Sequence, residues 1–185
     1  MSEEQPDPGL SKWLAQRMGV SKPSVTEPEM MSHKLIILVE PVAVSYIRTK
    51  YGIAPSSETV KFQNSVRKWL RTKANLITDR KTAIRISIWF YFRPPQYIAK
   101  LKELPDHIVK PDLDNLEKTF IDCLKPYKKR VNKVWTLIQD GVIPDDAQIN
   151  EKGKVKKAYT RKTPRIVCVL EYRKHPPEPT QETLL

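Results

Sequence analysis

The chain has only five glycines in 185 residues, and they are scattered at positions 9, 19, 52, 141 and 153. This scarcity argues against a glycine-rich loop of the kind that cradles nucleotide phosphates. The two cysteines, Cys123 and Cys168, stand 45 positions apart inside apolar periodic segments. That placement predicts reduced core residues rather than a disulfide or a zinc site.

Long apolar runs are also missing, so the sequence offers no candidate membrane span. The first residues, MSEEQPDPG, are acidic and do not resemble a secretion signal. No internal repeat is visible. We therefore expect a cytoplasmic protein that does not associate with a membrane.

Positive charge is what the chain has in excess. The formal net charge is +12, and residues 33–174 carry thirty basic against fourteen acidic side chains. A basic domain flanked by mildly acidic ends favours a polyanionic partner, because release of counterions from a phosphate backbone supplies affinity without sequence preference. The alternative is the basic surface of a ribosomal protein, or a basic surface that is merely solvated.

Composition divides the chain into three parts. Residues 1–32 are proline-rich and mildly acidic, which predicts a flexible arm. Within this arm GLSKWLAQRMG could form a short helix that packs on its own domain or docks a protein partner. Residues 33–174 form the folded domain, and residues 175–185, HPPEPTQETLL, are expected to be disordered.

The hydrophobic periodicity of the folded domain predicts alternating strands and helices. An α+β domain of α/β character follows, with a small mixed β-sheet packed against two or three helices. The predicted elements are a buried strand at 35–40, a helix at 56–75, a strand at 83–92, a helix from about residue 114, a second helix at 127–139, a basic strand or loop near KVKKAYTRK, and a strand at 165–172.

One acidic stretch, KPDLDNLEK at 110–118, stands out in the basic domain. Pro111 disfavours a helical residue before it, so Asp112 should lie in extended chain next to a helix start at Asp114. Their carboxylates could then converge. The plainer alternative makes Asp114 a helix N-cap and places Lys118 in an ion-pair ladder between Asp114 and Asp122.

A second acidic pair, Asp145 and Asp146, follows in GVIPDDAQI. Taken alone it is typical of a turn. Together with the first pair it suggests several carboxylate oxygens around one Mg²⁺ or Mn²⁺ ion. Such a site can orient a nucleophilic water and neutralise charge in phosphodiester cleavage. Lys118 could hold a phosphate oxygen there, and Asn115 could orient a carboxylate or a water.

The stretches HIVKPDLDNLEKTFIDCL (107–124) and GVIPDDAQI (141–149) resemble the RusA family of Holliday junction resolvases. The resemblance implies that Asp112, Asp114 and Asp146 bind Mg²⁺ and that Lys118 is needed for cleavage. Asn115 would match the asparagine of the motif, and Asp145 would act indirectly. It also implies a homodimer that cuts opposed strands of a four-way DNA junction. The segment KPYKKRVNKVWTLIQD (125–140) is an insertion relative to the family pattern.

Basic residues outside the acidic motifs are candidates for contacts with DNA phosphates. They fall in the loop after the first strand, in the insertion and near the KVKKAYTRK run: Arg48, Lys50, Lys128, Lys129, Arg130, Lys154, Lys156, Lys157 and Arg161. Two other functions stay open at this point. One is a nucleotidyl transferase, which also uses an Asp-x-Asp pair, and the other is a nucleic-acid-binding module without catalysis.

Overall fold

Residues 29–42, 45–50 and 52–174 are described by the structure, which is a computed structural model of the chain. The predicted arm at 1–32 lies almost entirely outside the described residues, as does the tail at 175–185. Among the described residues, no helix is long and apolar enough to cross a membrane.

A four-stranded mixed sheet forms the centre of the domain, in the order β1-β8-β4-β7. Its strands are β1 (Met30–Ile37), β4 (Ile84–Phe92), β7 (Ile149–Tyr159) and β8 (Arg165–Arg173). β8 pairs antiparallel with both β1 and β4, whereas β7 runs parallel to β4 at the other edge. The predicted α+β class with a mixed sheet is confirmed.

Two helices, α1 (Ser57–Leu70) and α3 (Leu113–Leu124), contribute to the buried core with the strands. Strand β4 alternates as predicted, since every second residue from Ile84 to Phe92 is buried. The apolar residues that recur at helical spacing on α3 are buried too: Leu116, Phe120, Cys123 and Leu124. Each such side chain contributes about 1.5–3 kcal/mol when fully buried, so this core fixes where α3 lies.

Strand β1 differs from the prediction of a strand at 35–40 that is buried throughout. It ends at Ile37, and Ile36 and Leu38 are 50% and 47% exposed. The reason is its position at the sheet edge with one covered face, which buries only alternate residues. Leu35 and Ile37 supply that buried face.

Helix α1 begins as expected, with the hydroxyl of Ser56 accepting a hydrogen bond from the backbone N–H of Thr59 at 3.2 Å. Phe62, Val66 and Leu70 are buried. The helical spacing of the sequence puts Trp69 on the same face, but its side chain is 45% exposed. The helix is also shorter than 56–75, because a 3-10 turn over Arg71–Lys73 ends it.

The predicted helix at 127–139 is wrong. This segment is a β-hairpin of β5 (Tyr127–Val131) and β6 (Val134–Gln139), hereafter the hairpin. Asn132 and Lys133 connect the strands with φ of 50° and 67°, the pair of positive values typical of a type I′ turn. The apolar residues of this segment recur at helical spacing, but the segment does not form a helix.

The remaining elements are short. Strands β2 (Tyr46–Thr49) and β3 (Gly52–Pro55) pair with each other in a separate ribbon, and helix α2 (Gln96–Ala99) interrupts the loop after β4. A 3-10 turn over Asp146–Gln148 precedes β7. Cys123 and Cys168 are both free thiols in the core, as predicted.

Both cysteines should resist thiol reagents in the native protein. Burial raises the pKa of the Cys123 thiol to about 12 and shifts the pKa of Cys168 above its ordinary range as well. Because only the thiolate reacts, we expect no labelling by iodoacetamide at pH 8 and labelling of two thiols per chain in denaturant. Mass spectrometry of the intact protein gives the count, and rapid native labelling of either cysteine would contradict this core.

Candidate active site

The first acidic motif lies at the start of α3. Asp112 is extended, with φ −67° and ψ 141°, and α3 begins at Leu113 with Asp114 in its first turn. The extended Asp112 is confirmed, whereas Asp114 is not the N-cap. Asp112 holds the N-cap position, but its side chain makes no capping hydrogen bond. Capping therefore explains neither carboxylate.

The second acidic motif is held by a capping box. The Asp145 carboxylate accepts a hydrogen bond from the N–H of Ala147 at 2.9 Å, and the Gln148 side-chain oxygen accepts one from the N–H of Asp145 at 3.2 Å. The turn interpretation thus accounts for Asp145. Asp146 is left with an exposed side chain at the turn.

Gln148 anchors this turn to the rest of the domain. Its amide donates to the carbonyls of Asp79 and Thr82, at 2.7 and 3.0 Å, and the residue is 7% exposed. No role was predicted for Gln148 from the sequence. The signal was present, because an aspartate followed three residues later by glutamine is the pattern of a capping box.

Backbone hydrogen bonds bring the chain back to α3 despite the insertion. The N–H groups of Val142 and Ile143 donate to the carbonyl of Leu124, the last residue of α3, at 2.7 and 3.2 Å. Gly141 and Val142 in turn accept from Asn75 and Ile77. The chain therefore leaves α3 through the hairpin and returns to the same helix end, which seats the second motif against the helix whose first turn carries Asp114.

A cavity of about 470 Å³ opens between α3 and the turn. We call it the carboxylate cavity. Its charged lining residues are Asp114, Glu117, Lys118, Asp122, Asp146 and Lys152. Asp114, Asp146 and Lys118 were predicted to act together and do share this cavity. Asp112 and Asn115 are exposed and do not line it.

The predicted ladder between Lys118 and the two aspartates on α3 is not formed. Lys118 is exposed and makes no ion pair with Asp114 or Asp122 among the described residues. Lys125 instead contacts Asp122 Oδ1 at 2.9 Å and Asp146 Oδ2 at 2.8 Å. The Lys118 ammonium therefore stays available to the cavity.

Lys125 also sets the electrostatics of the second motif. Its hydrogen bond to Asp146 holds the pKa of that carboxyl below its usual range. The pKa of Lys125 itself is raised, because the two carboxylates outweigh its partial burial. The contact spans 21 residues, so sequence spacing gave no sign of it.

A second ion pair was also missed. Lys152 Nζ of β7 lies 2.8 Å from Glu117 Oε1 of α3, without the alignment of a hydrogen bond. Glu117 is buried, and its carboxylate raises the pKa of Lys152. The pair ties α3 to the edge strand on the floor of the carboxylate cavity.

The donor set of the cavity suits a hard divalent cation. Every acidic lining residue offers carboxylate oxygen, and Mg²⁺ commonly uses only one or two carboxylates and keeps several waters. Among residues 29–42, 45–50 and 52–174, no three His, Cys, Asp or Glu side chains stand close enough together to hold a metal ion. Asp114 and Asp146 offer the type of oxygen donor that Mg²⁺ prefers, and the Asp146 carboxylate is paired with Lys125 in this structure.

The family model for endodeoxyribonuclease RusA matches residues 40–171, which is more than half of the chain and includes every residue of the carboxylate cavity. The chain belongs to the RusA endodeoxyribonuclease family. No curated protein matches it in a sequence search. As a RusA-family protein it is expected to act on DNA as a nuclease, which favours hydrolysis over nucleotidyl transfer.

The loop that leads to Asp112 in this RusA-family protein is fixed from two sides. His107 is 6% exposed and packs between the rings of Phe92 and Tyr159, with centroid distances of 4.4 and 4.5 Å. Burial lowers the pKa of His107. Lys157 donates to the carbonyls of Val109 and Pro111, at 2.7 and 2.9 Å. His107 is thus a structural residue of the loop.

Two of the predicted DNA-contact residues, Lys157 and Arg161, bind backbone carbonyls of the domain. Lys157 supports the loop just described, and the Arg161 guanidinium donates to the carbonyls of Leu101 and Lys102. The others are exposed: Arg48, Lys50, Lys128, Lys129, Arg130, Lys154 and Lys156. Lys128, Lys129 and Arg130 belong to the hairpin, which directly follows α3 in the chain.

Proposed function

We propose that this RusA-family protein resolves four-way DNA junctions by paired, Mg²⁺-dependent phosphodiester cleavage. The observation that carries the proposal is the shared cavity of Asp114, Asp146 and Lys118 within a strongly basic domain. In a basic domain that binds DNA, carboxylates can hold a metal ion that contacts the phosphate of the substrate. The RusA family supplies the class of reaction.

Asp114 and Asp146 would hold the metal ion, and Asp112 is proposed as a third ligand on the family pattern. The Asp112 carboxylate does not cap α3, so capping would not compete with metal binding. When bound, Mg²⁺ would supply charge neutralisation at the phosphate and activation of the attacking water. Mn²⁺ has the same preference for oxygen ligands and is expected to substitute.

Protein side chains would do the rest. Lys118, unpaired with the helix carboxylates, would contact a phosphate oxygen and stabilise the negative charge that builds on it. Asp145 and Gln148 hold the turn that positions Asp146, at hydrogen-bond distances of 2.7–3.2 Å. Asn115, exposed on α3, would orient water or DNA rather than the metal.

Branched DNA is the proposed substrate and a homodimer the proposed active form. Symmetric cleavage of two opposed strands needs two sites, and two copies of the chain would supply two carboxylate cavities. The exposed basic residues would contact the junction arms through their phosphates. Arg48, Lys50, Lys154 and Lys156 are the candidates outside the hairpin.

Cleavage of a labelled synthetic four-way junction, beside linear duplex of the same length, tests the proposal. With Mg²⁺ we expect paired symmetric nicks in the junction and none in the duplex. EDTA should abolish the nicks, and Mn²⁺ should restore them. Sedimentation of the complex should give two chains per junction. Tight junction binding without cleavage under any divalent ion would instead leave a binding module.

A further inference from the structure

The hairpin carries large apolar side chains into solvent. Trp135 is 68% exposed, and Leu137 is 50% exposed. Their neighbours across the hairpin are basic. Exposed apolar groups of this size usually mark a surface that contacts something else.

Cross-strand pairing sorts these residues onto one face. Lys128 pairs with Leu137, and Arg130 pairs with Trp135. Directly paired residues of an antiparallel ribbon point to the same side, and alternate pairs share a face. One face of the hairpin therefore presents Lys128, Arg130, Trp135 and Leu137, which we call the Trp135 face.

A groove connects this face to the active-site turn. A cavity of about 500 Å³ is lined by Lys128 and Leu137 of the Trp135 face, by Arg80, and by Asp145. Asp145 immediately precedes Asp146 of the carboxylate cavity. A nucleic-acid strand with its phosphate at Asp146 would thus have the groove, with Lys128 and Leu137 of the Trp135 face, beside it.

The base of the hairpin is anchored, so the face is held in place. Gln139 donates from its side-chain amide to the carbonyl of Arg67 at 2.9 Å. The guanidinium of Arg67 lies over the Tyr127 ring, 4.3 Å from its centroid. Both contacts are to α1, on the opposite end of the hairpin from the exposed Asn132 and Lys133 turn.

We propose that the Trp135 face binds an unpaired nucleotide of the branched substrate next to the scissile phosphate. The indole would stack on the base, while Lys128 and Arg130 would neutralise the flanking phosphates. An aromatic ring between basic side chains is the arrangement that binds unpaired nucleotides, because every base has a stacking face. The charge beside the aromatic ring distinguishes this face from a purely apolar protein contact. The inference rests on the proposed function for the identity of the DNA.

The test measures binding in EDTA, where no cutting occurs, using the full chain. The DNAs are a four-way junction and a linear duplex of equal length at one salt concentration. Trp135→Ile keeps an apolar, strand-favouring side chain but cannot stack, and Trp135→Phe keeps a stacking ring. We expect about tenfold weaker junction binding for W135I, affinity within about threefold of native for W135F, and unchanged duplex binding for both.

A second variant tests whether Lys128 and Arg130 contact the phosphates of the DNA. Lys128→Ala with Arg130→Ala should weaken binding to both DNAs and lower the slope of log affinity against log salt by roughly two. Equal junction affinities for W135I and W135F would overturn the proposal. So would a lower sedimentation mass for W135I without DNA, since the face would then be a contact between copies of the chain.

The outcome is separable from that of the proposed function. Native protein that never cuts the junction, but loses junction binding only in W135I, would refute the resolvase and support the Trp135 face. If the native protein instead cuts the junction normally with Mg²⁺ while W135I binds it as tightly as W135F, the resolvase is supported and the Trp135 face is refuted. Equal thermal unfolding midpoints for W135I and W135F are expected and show that both variants are folded.

Discussion

Asp146→Asn is expected to lower the rate of junction cleavage at least about a thousandfold, because a metal ion contributes several kcal/mol of transition-state stabilisation. Asparagine keeps the size of the side chain and its place in the turn but removes the charge that attracts Mg²⁺. Junction affinity measured in EDTA should stay within a few fold of native. Single-turnover cleavage in excess protein separates the two effects.

Asp145→Asn is the matched control, one residue away in the same turn. The asparagine side-chain oxygen can still accept the hydrogen bond that Asp145 receives from Ala147 at 2.9 Å. We expect cleavage within about tenfold of native, since the capping interaction is worth only about 1 kcal/mol. Equal losses in both variants would show that the turn, rather than the Asp146 carboxylate, sustains activity. An active D146N would remove this residue from the site.

The core of this fold could be predicted from local pattern because its physical cause is local. Strand β4 alternates strictly, and α3 repeats its apolar stripe with helical spacing, so burial of one face follows from periodicity alone. The hairpin could not be predicted in this way. Most of its apolar side chains are exposed, so their spacing does not report a buried face, and the turn at Asn132 and Lys133 decides the structure.

In the candidate site, too, the residues of short local motifs could be predicted and those placed by tertiary packing could not. Asp114, Lys118 and Asp146 could be found from sequence because their motifs are short and chemically unusual in a basic domain. Lys125 and Glu117 could not, since each acts through a partner fixed by tertiary packing: Asp146 in one case, and Lys152 on β7 in the other. Asp112 shows a further limit, because proximity in sequence to Asp114 did not place it on the cavity wall.

Gly141→Ala is expected to destabilise the domain strongly. A Cβ at Gly141 would lie 2.5 Å from the backbone nitrogen of Pro126 and 2.6 Å from the carbonyl oxygens of Leu124 and Ile143. All three atoms are backbone, so no side chain can rotate away. We expect the free energy of unfolding in urea to fall by about 3 kcal/mol, the upper end of overpacking costs.

The same substitution should also disable the site in whatever protein remains folded. Gly141 sits where the hairpin returns to α3, and the Val142 N–H bond to Leu124 follows directly after it. A shift of the chain at Gly141 would move the turn that carries Asp146 and so separate Asp146 from Asp114. Gly52→Ala is the contrast, because Gly52 has φ 122° but open space around it, so only backbone strain of about 1–3 kcal/mol applies. If Gly141→Ala keeps native stability and native cleavage, the backbone contacts around Gly141 do not determine the position of Asp146.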